Sequence, residues 1–168
     1  MQELSVKYIK YDKNATPQER RRLEHTTAYS LLEAMLKKHF GLENATILKN
    51  ENGKPYVDIE NIHFSISHTH GLAAVVVADK PVGIDCEALK DGDKDYICKF
   101  ANRFFTKNEI DKIEKSGYSS TEFFKVWTGK EATIKKLGTN MGDIKAIDTT
   151  KENLHYSIEN GYIICINI

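Results

Sequence analysis

Three short segments of the 168-residue chain carry side chains whose types and spacing could do chemistry. In Gly83-Ile84-Asp85-Cys86-Glu87, a strand puts Asp85 and Glu87 on one face and Ile84 and Cys86 on the other, because side chains alternate. Two carboxylates about 7 Å apart along a strand repel unless a cation sits between them. The pair is therefore either a solvated strand end or a cation site, and Gly83 on the same face would let a ligand approach the backbone. In Trp127-Thr128-Gly129-Lys130-Glu131-Ala132-Thr133-Ile134-Lys135, a helix aligns Trp127, Glu131 and Lys135 in one row. A carboxylate beside a lysine suits a metal ligand next to a phosphate clamp. It equally suits a surface ion pair worth about 0.3–0.5 kcal/mol. The third segment is Phe64-Ser65-Ile66-Ser67-His68-Thr69-His70, preceded by Asn52-Gly53-Lys54-Pro55. Hydroxyls, imidazoles and an ammonium around a glycine turn suit a phosphate or nucleotide, or make an ordinary polar loop. Zinc on His63, His68 and His70 lacks a supporting cysteine or i,i+4 histidine pair.

These segments need elements to hold them. Ser5 to Ile9 reads as a strand. Thr16-Pro17-Gln18-Glu19 is a capping box with proline at the first helical position, followed by Leu23, Ala28, Leu31, Leu32, Met35 and Leu36 at helical spacing. The expected helix runs from Pro17 to His39 and stops at Gly41. Arg20-Arg21-Arg22 lie at its start, the wrong end for the helix dipole, and form either a solvated face or a phosphate grip. Thr46 to Leu48, Pro55 to Ile59, Phe64 to Ser67, the unbroken apolar run Leu72 to Ala78, and Val82 to Glu87 read as strands, and Leu89 to Asp95 as a loop. Thr106 with Glu109 is a second capping box, opening a helix to Lys115. Ser119 with Glu122 is a third, opening a helix to Leu137 that Gly138 closes. Ile144 to Thr149, Leu154 to Ile158 and Tyr162 to Ile168 read as strands, with Asn160-Gly161 a type I′ hairpin turn. The expected class is α+β: a single domain over 1–168, in two similar halves of about 1–80 and 81–168, each with a mostly antiparallel sheet.

Composition narrows the function. Lys plus Arg and Asp plus Glu both number 24, so the chain lacks the basic excess of a nucleic-acid binder. The Leu72–Ala78 run is too short to span a bilayer, and the first residues have no signal core. Three cysteines in no metal spacing read as reduced thiols in a cytoplasm.

The order of segments says more than any one of them. Lys54-Pro55, Ser67-His68, Gly83-Ile84-Asp85-Cys86-Glu87, Arg103-Phe104-Phe105-Thr106-Lys107-Asn108-Glu109 and the Trp127–Lys135 stretch resemble, in order and spacing, the 4'-phosphopantetheinyl transferases of the single-chain (Sfp-like) type. Ser65 and Thr69 depart from the family's usual Asn and Ser. The resemblance implies two halves related by a pseudo-twofold, with coenzyme A between them. It implies Mg²⁺ (with Mn²⁺ as a substitute) on Asp85, Glu87 and Glu131. It implies Lys135 and Lys130 at the pyrophosphate and Glu109 as base for a serine, although Glu109 is also the N3 residue of its capping box. Lys54, Pro55, Ser67, His68 and Arg22 would contact coenzyme A. The reaction implied moves the phosphopantetheine arm of coenzyme A to a serine of an acyl, polyketide or peptidyl carrier protein, releasing adenosine 3',5'-bisphosphate. With both halves in one chain, a cytoplasmic monomer without nucleic-acid or membrane partners is expected. The other readings are a non-catalytic coenzyme A or nucleotide binder and a metal-dependent phosphohydrolase.

Overall fold

A computed structural model describes the whole chain, Met1 to Ile168. The first half contains β1 (Gln2–Tyr8), α1 (Pro17–Phe40), β2 (Leu48–Lys49), β3 (Pro55–Tyr56), β4 (His63–Thr69) and β5 (Leu72–Ala78). The second contains β6 (Gly83–Ala88), α2 (Lys94–Phe104), α3 (Lys107–Lys115), α4 (Ser120–Leu137), two short 3₁₀ turns, β7 (Leu154–Glu159) and β8 (Tyr162–Asn167).

Local chemistry explains the long helix. Glu19 N–H donates to Thr16 Oγ1 (3.3 Å) and Thr16 N–H donates to Glu19 Oε2 (2.7 Å), so the capping box is complete. Gly41 ends α1 at φ +68°, a left-handed cap that glycine adopts without strain. Leu32, Met35 and Leu36 pack on Phe64, Val75 and Val77 of β4 and β5.

Two three-stranded antiparallel sheets form, β1-β5-β4 and β6-β8-β7. Both place the first strand of the half at one edge, the last in the centre and the penultimate at the other edge. β5 is buried on both faces: Val75 and Val77 face α1, while Leu72, Ala74, Val76 and Ala78 pack with Ile84, Cys86, Ile164 and Ile166 of the other sheet. β4 and β6 are not laddered together. Two serine side chains join them, with Ile84 N–H donating to Ser65 Oγ (3.1 Å) and Cys86 N–H to Ser67 Oγ (3.2 Å). The buried β6 amides that point away from β8 are thus satisfied by side chains, with no strand laddered to them.

The expectations need four corrections. Residues 94–104 form α2, although the sequence pattern places Lys94 and Asp95 in a loop and assigns 96–104 to no element: Asp93 Oδ1 accepts from the Asp95 and Tyr96 amides, and Ile97, Ala101 and the adjoining Phe105 are buried. Ser119 makes no side-chain cap; Glu122 pairs with Lys112 (2.8 Å) instead. Ile144 to Thr149 is not a strand, because Ile144 and Ile147 dip three residues apart onto Ile134 while 3₁₀ turns flank them. Gly83 leaves no room for a ligand: a Cβ there would lie 1.8 Å from the Ala132 carbonyl oxygen and 2.5 Å from Lys136 N, so α4 crosses β6 at backbone contact. The Asn160-Gly161 turn forms as expected, both residues at positive φ.

Candidate active site

The face of β6 that meets α4 carries Asp85, and Asp85 organises the site. It is 3% exposed. Its Oδ1 accepts from Lys135 Nζ (2.7 Å) and from Ser67 Oγ (2.8 Å), and Lys135 Nζ also reaches Ser67 Oγ (3.0 Å). Its Oδ2 is buried without any partner. A buried carboxylate oxygen with no donor is costly, and a cation is the partner its charge calls for. Ser67 can serve here because β4 alternates: Ser65 and Ser67 turn to β6 together.

Two further carboxylates sense Asp85. Burial, then Asp85, pushes the Glu131 carboxyl up to about 7. The same causes in the same order raise Glu87, which accepts a hydrogen bond from Thr69 Oγ1 (3.3 Å). Burial disfavours the Lys135 ammonium, yet Asp85 and then Glu131 outweigh it and hold its pKa above the ordinary lysine value. No three His, Cys, Asp or Glu side chains converge into a ready-made metal cage. The donor set suits Mg²⁺, which takes one or two carboxylates and completes its shell with water and substrate phosphate oxygens.

Three openings flank these carboxylates. A cavity of about 510 Å³ is lined by Lys54, Pro55, Phe64, Ser65, Glu131 and Lys135. Lys54 Nζ donates to the Lys136 carbonyl (2.8 Å), and the side-chain amides of Asn50 and Asn52 donate to the Gly138 carbonyl (3.1 and 2.9 Å). The turn that brings Lys54 and Pro55 to the cavity therefore also caps the C-terminus of α4. A second cleft of about 600 Å³ is lined by Pro17 and by the polar side chains of Arg20, Arg21, Glu24, His68, Thr69 and His70. Arg22 is exposed and is not on this wall, since each helical step turns a side chain by about 100°. The basic contribution comes from its two predecessors. A third groove, about 460 Å³, starts at Glu87 and runs over Tyr96, Ile97, Phe100, Phe123 and Trp127.

Glu109 and Lys130 do not stand with the other charged residues. Both are 0% exposed and face each other at 2.8 Å. Glu109 Oε2 also accepts from Thr106 N–H (2.7 Å), and Oε1 accepts from Thr149 N–H (2.7 Å) and Oγ1 (2.8 Å). Lys130 Nζ also donates to the carbonyls of Ile144 (2.9 Å) and Ile147. All lone pairs and protons are spent inside the protein. The pair staples α3, α4 and the 144–149 segment, and in this geometry the expected base and phosphate-binding lysine have no lone pair or proton left over. The structure thus brings together Asp85, Glu87, Glu131, Lys135 and Ser67, sets Lys54, Pro55 and His68 on flanking openings, and leaves Arg22, Glu109 and Lys130 away. The residue that sequence reasoning missed is Glu24. Its signal was a charged side chain four residues before Ala28 on the buried stripe of α1.

The family pattern of the 4'-phosphopantetheinyl transferase superfamily matches residues 81–160. The chain is similar to the 4'-phosphopantetheinyl transferase gsp of Aneurinibacillus migulanus, 40% identical over 59% of this chain and 40% of that protein. It is 33% identical to a 4'-phosphopantetheinyl transferase of Bacillus subtilis over 77% of this chain and 59% of the relative. It is 29% identical to the 4'-phosphopantetheinyl transferase Sfp of Bacillus subtilis strain 168 over 74% and 55%. The chain thus matches about half the length of these curated relatives. With Asp85, Glu87, Glu131 and Lys135 inside the matched region, the chain is similar to the 4'-phosphopantetheinyl transferase superfamily across the stretch that carries its carboxylates.

Proposed function

We propose that the chain transfers the 4'-phosphopantetheine arm of coenzyme A to a serine of a carrier protein, with Mg²⁺ and with release of adenosine 3',5'-bisphosphate. One observation carries the reading: the buried, unpartnered Asp85 Oδ2 beside Lys135, flanked by two carboxyls that burial and Asp85 push upward. Phosphoryl transfer asks a protein chiefly to position groups and neutralise charge. Asp85, Glu87 and Glu131 would hold the cation. When bound, Mg²⁺ offsets the charge of the pyrophosphate oxygens. Lys135, held by Asp85 and Ser67, presents its ammonium to the same oxygens. Arg20, Arg21 and His68 on one side and Lys54 on the other receive the remaining phosphate and nucleoside portions of coenzyme A. The aromatic groove that begins at Glu87 receives the carrier, since apolar surface leading into a charged site suits a protein better than water.

The repeated strand order supports a pseudo-twofold between halves of about 1–80 and 81–168. One chain then supplies both walls, which favours a monomer, and three free cysteines suit the reducing cytoplasm. No helix is long and apolar enough to cross a membrane. The test is incubation with coenzyme A, Mg²⁺ and an apo carrier protein, read by mass spectrometry. A carrier gaining one phosphopantetheine supports the proposal, with the gain lost in Asp85→Asn. Coenzyme A cleaved without a carrier indicates a phosphohydrolase, and binding without turnover indicates a binder; either overturns it.

A further inference from the structure

Glu24 is a carboxylate where α1 should be apolar. It is 5% exposed, one turn before Ala28 on the buried stripe. Tyr11 Oη donates to Glu24 Oε1, and the Gly71 amide fixes that phenol by donating to it (2.6 Å). Burial and then Glu24 push the Tyr11 phenol up to about 12, so it stays a donor throughout the neutral range. The other oxygen, Oε2, lies 3.4 Å from His68 Nδ1. With Nδ1 turned to Glu24, the His68 Nε2 edge is left for the polar cleft, whose walls also carry Arg20, Arg21 and His70. Carboxylate and imidazole in this order resemble the orienting pairs that set a histidine's tautomer at many sites.

We propose that Glu24, backed by Tyr11, is the positioning residue for His68: it fixes the Nδ1–H tautomer, directs Nε2 into the cleft, and supplies the counter-charge with which His68 takes up a proton when a phosphate-bearing ligand enters. The inference rests on the reading of this cleft as part of the coenzyme A site. The charged or titratable groups around His68 are Glu24 and His25 on α1 and Lys135 on α4, with Arg20, Arg21 and His70 on the same cleft. Burial is the largest influence on His68 and disfavours the imidazolium; Glu24 opposes it, while His25 and Lys135 add to it. The free protein therefore holds His68 neutral. An entering phosphate adds a second negative charge, and a proton moves from solvent to Nε2.

Two measurements test this. In the free protein, nitrogen-detected NMR of the His68 ring should show the Nδ1–H tautomer. Glu24→Gln should lower the His68 titration midpoint by about one pH unit, the usual size of losing a neighbouring opposite charge. Tyr11→Phe, which keeps the packing, should shift it in the opposite direction by freeing more of the Glu24 charge. A dominant Nε2–H tautomer in wild type, or a midpoint unchanged in Glu24→Gln, overturns the inference without reference to any ligand. In calorimetry with coenzyme A at pH about 7.5, in two buffers of different ionisation enthalpy, wild type should take up protons. Glu24→Gln should take up fewer and bind about tenfold more weakly, the scale of a lost charge-assisted hydrogen bond. Equal proton uptake in both proteins overturns the inference. Failure of wild type to bind coenzyme A at all overturns the proposed function, while the NMR result still decides the role of Glu24.

Discussion

Replacing Lys130 by Met removes the ammonium from the buried pair with Glu109 and nothing from the carboxylate cluster. Three losses follow from the geometry. The Glu109 carboxylate stays buried with its charge uncompensated, although Thr106 N–H, Thr149 N–H and Thr149 Oγ1 still donate to it. The carbonyls of Ile144 and Ile147 lose their donor. Breaking a buried ion pair from one side costs about 3–5 kcal/mol, and the three surviving donors argue for the lower half of that range. For a domain of this size each kcal/mol moves Tm by about 2–4 °C, so about 3–4 kcal/mol predicts a fall of about 6–16 °C. Glu109→Gln is a sharper probe. Both carboxylate oxygens face only donors, so whichever side the amide group takes, it meets a donor it cannot bond. The Lys130 ammonium also loses its counter-charge, so destabilisation of about 3–5 kcal/mol follows, without an effect on chemistry beyond that of loosened packing. Calorimetric unfolding of the three proteins and transfer rates measured at least 15 °C below each melting point (roughly the upper predicted shift) separate the roles. Unchanged stability in Glu109→Gln with a rate lower by about 10² would refute the staple and restore the base.

A pH test isolates Glu131. Its folded-state pKa is raised to about 7 from 4.5, so above 4.5 the unfolded chain sheds a proton that the folded chain keeps. Stability therefore falls as pH rises from about 4.5 through about 7 in chelator-treated buffer. Glu131→Gln should flatten this fall in urea unfolding at pH 5 and 7.5, and Mg²⁺ should restore wild-type stability at the upper pH by binding the folded form alone. A slope identical in Glu131→Gln and wild type contradicts the assignment. Gly83→Ala should be among the most damaging single changes, because its Cβ would meet the α4 backbone rather than a flexible side chain. A loss above about 4 kcal/mol is expected, read as insoluble expression or early melting, and a Tm within 3 °C of wild type would show that α4 can move off β6 at little cost.

Features that one turn of chain decides could be read directly. Thr16 with Glu19, Thr106 with Glu109, and Gly41 each act within four residues, and each cap forms. The alternation that puts Asp85 and Glu87 together and the helical row that puts Glu131 with Lys135 are equally local. What tertiary contact decides could not be read. Ser119 and Glu122 have the same spacing as the two working boxes, but Lys112 on α3 draws Glu122 away. Lys130 and Glu131 are adjacent and both charged, and helical geometry sends one into the interior and the other toward the carboxylates. Nothing in either residue type says which. Only the position of the 144–149 segment, whose carbonyls satisfy the Lys130 ammonium, makes burial of that lysine tolerable. The same reasoning applies to Glu24, where a charge on an apolar stripe was visible but its partners lie 13 and 44 residues away, Tyr11 before it and His68 after. A charged residue in a motif therefore reports chemistry only when its partners leave it free lone pairs or protons. Asp85 has such a lone pair in its buried Oδ2, and Glu109 has none.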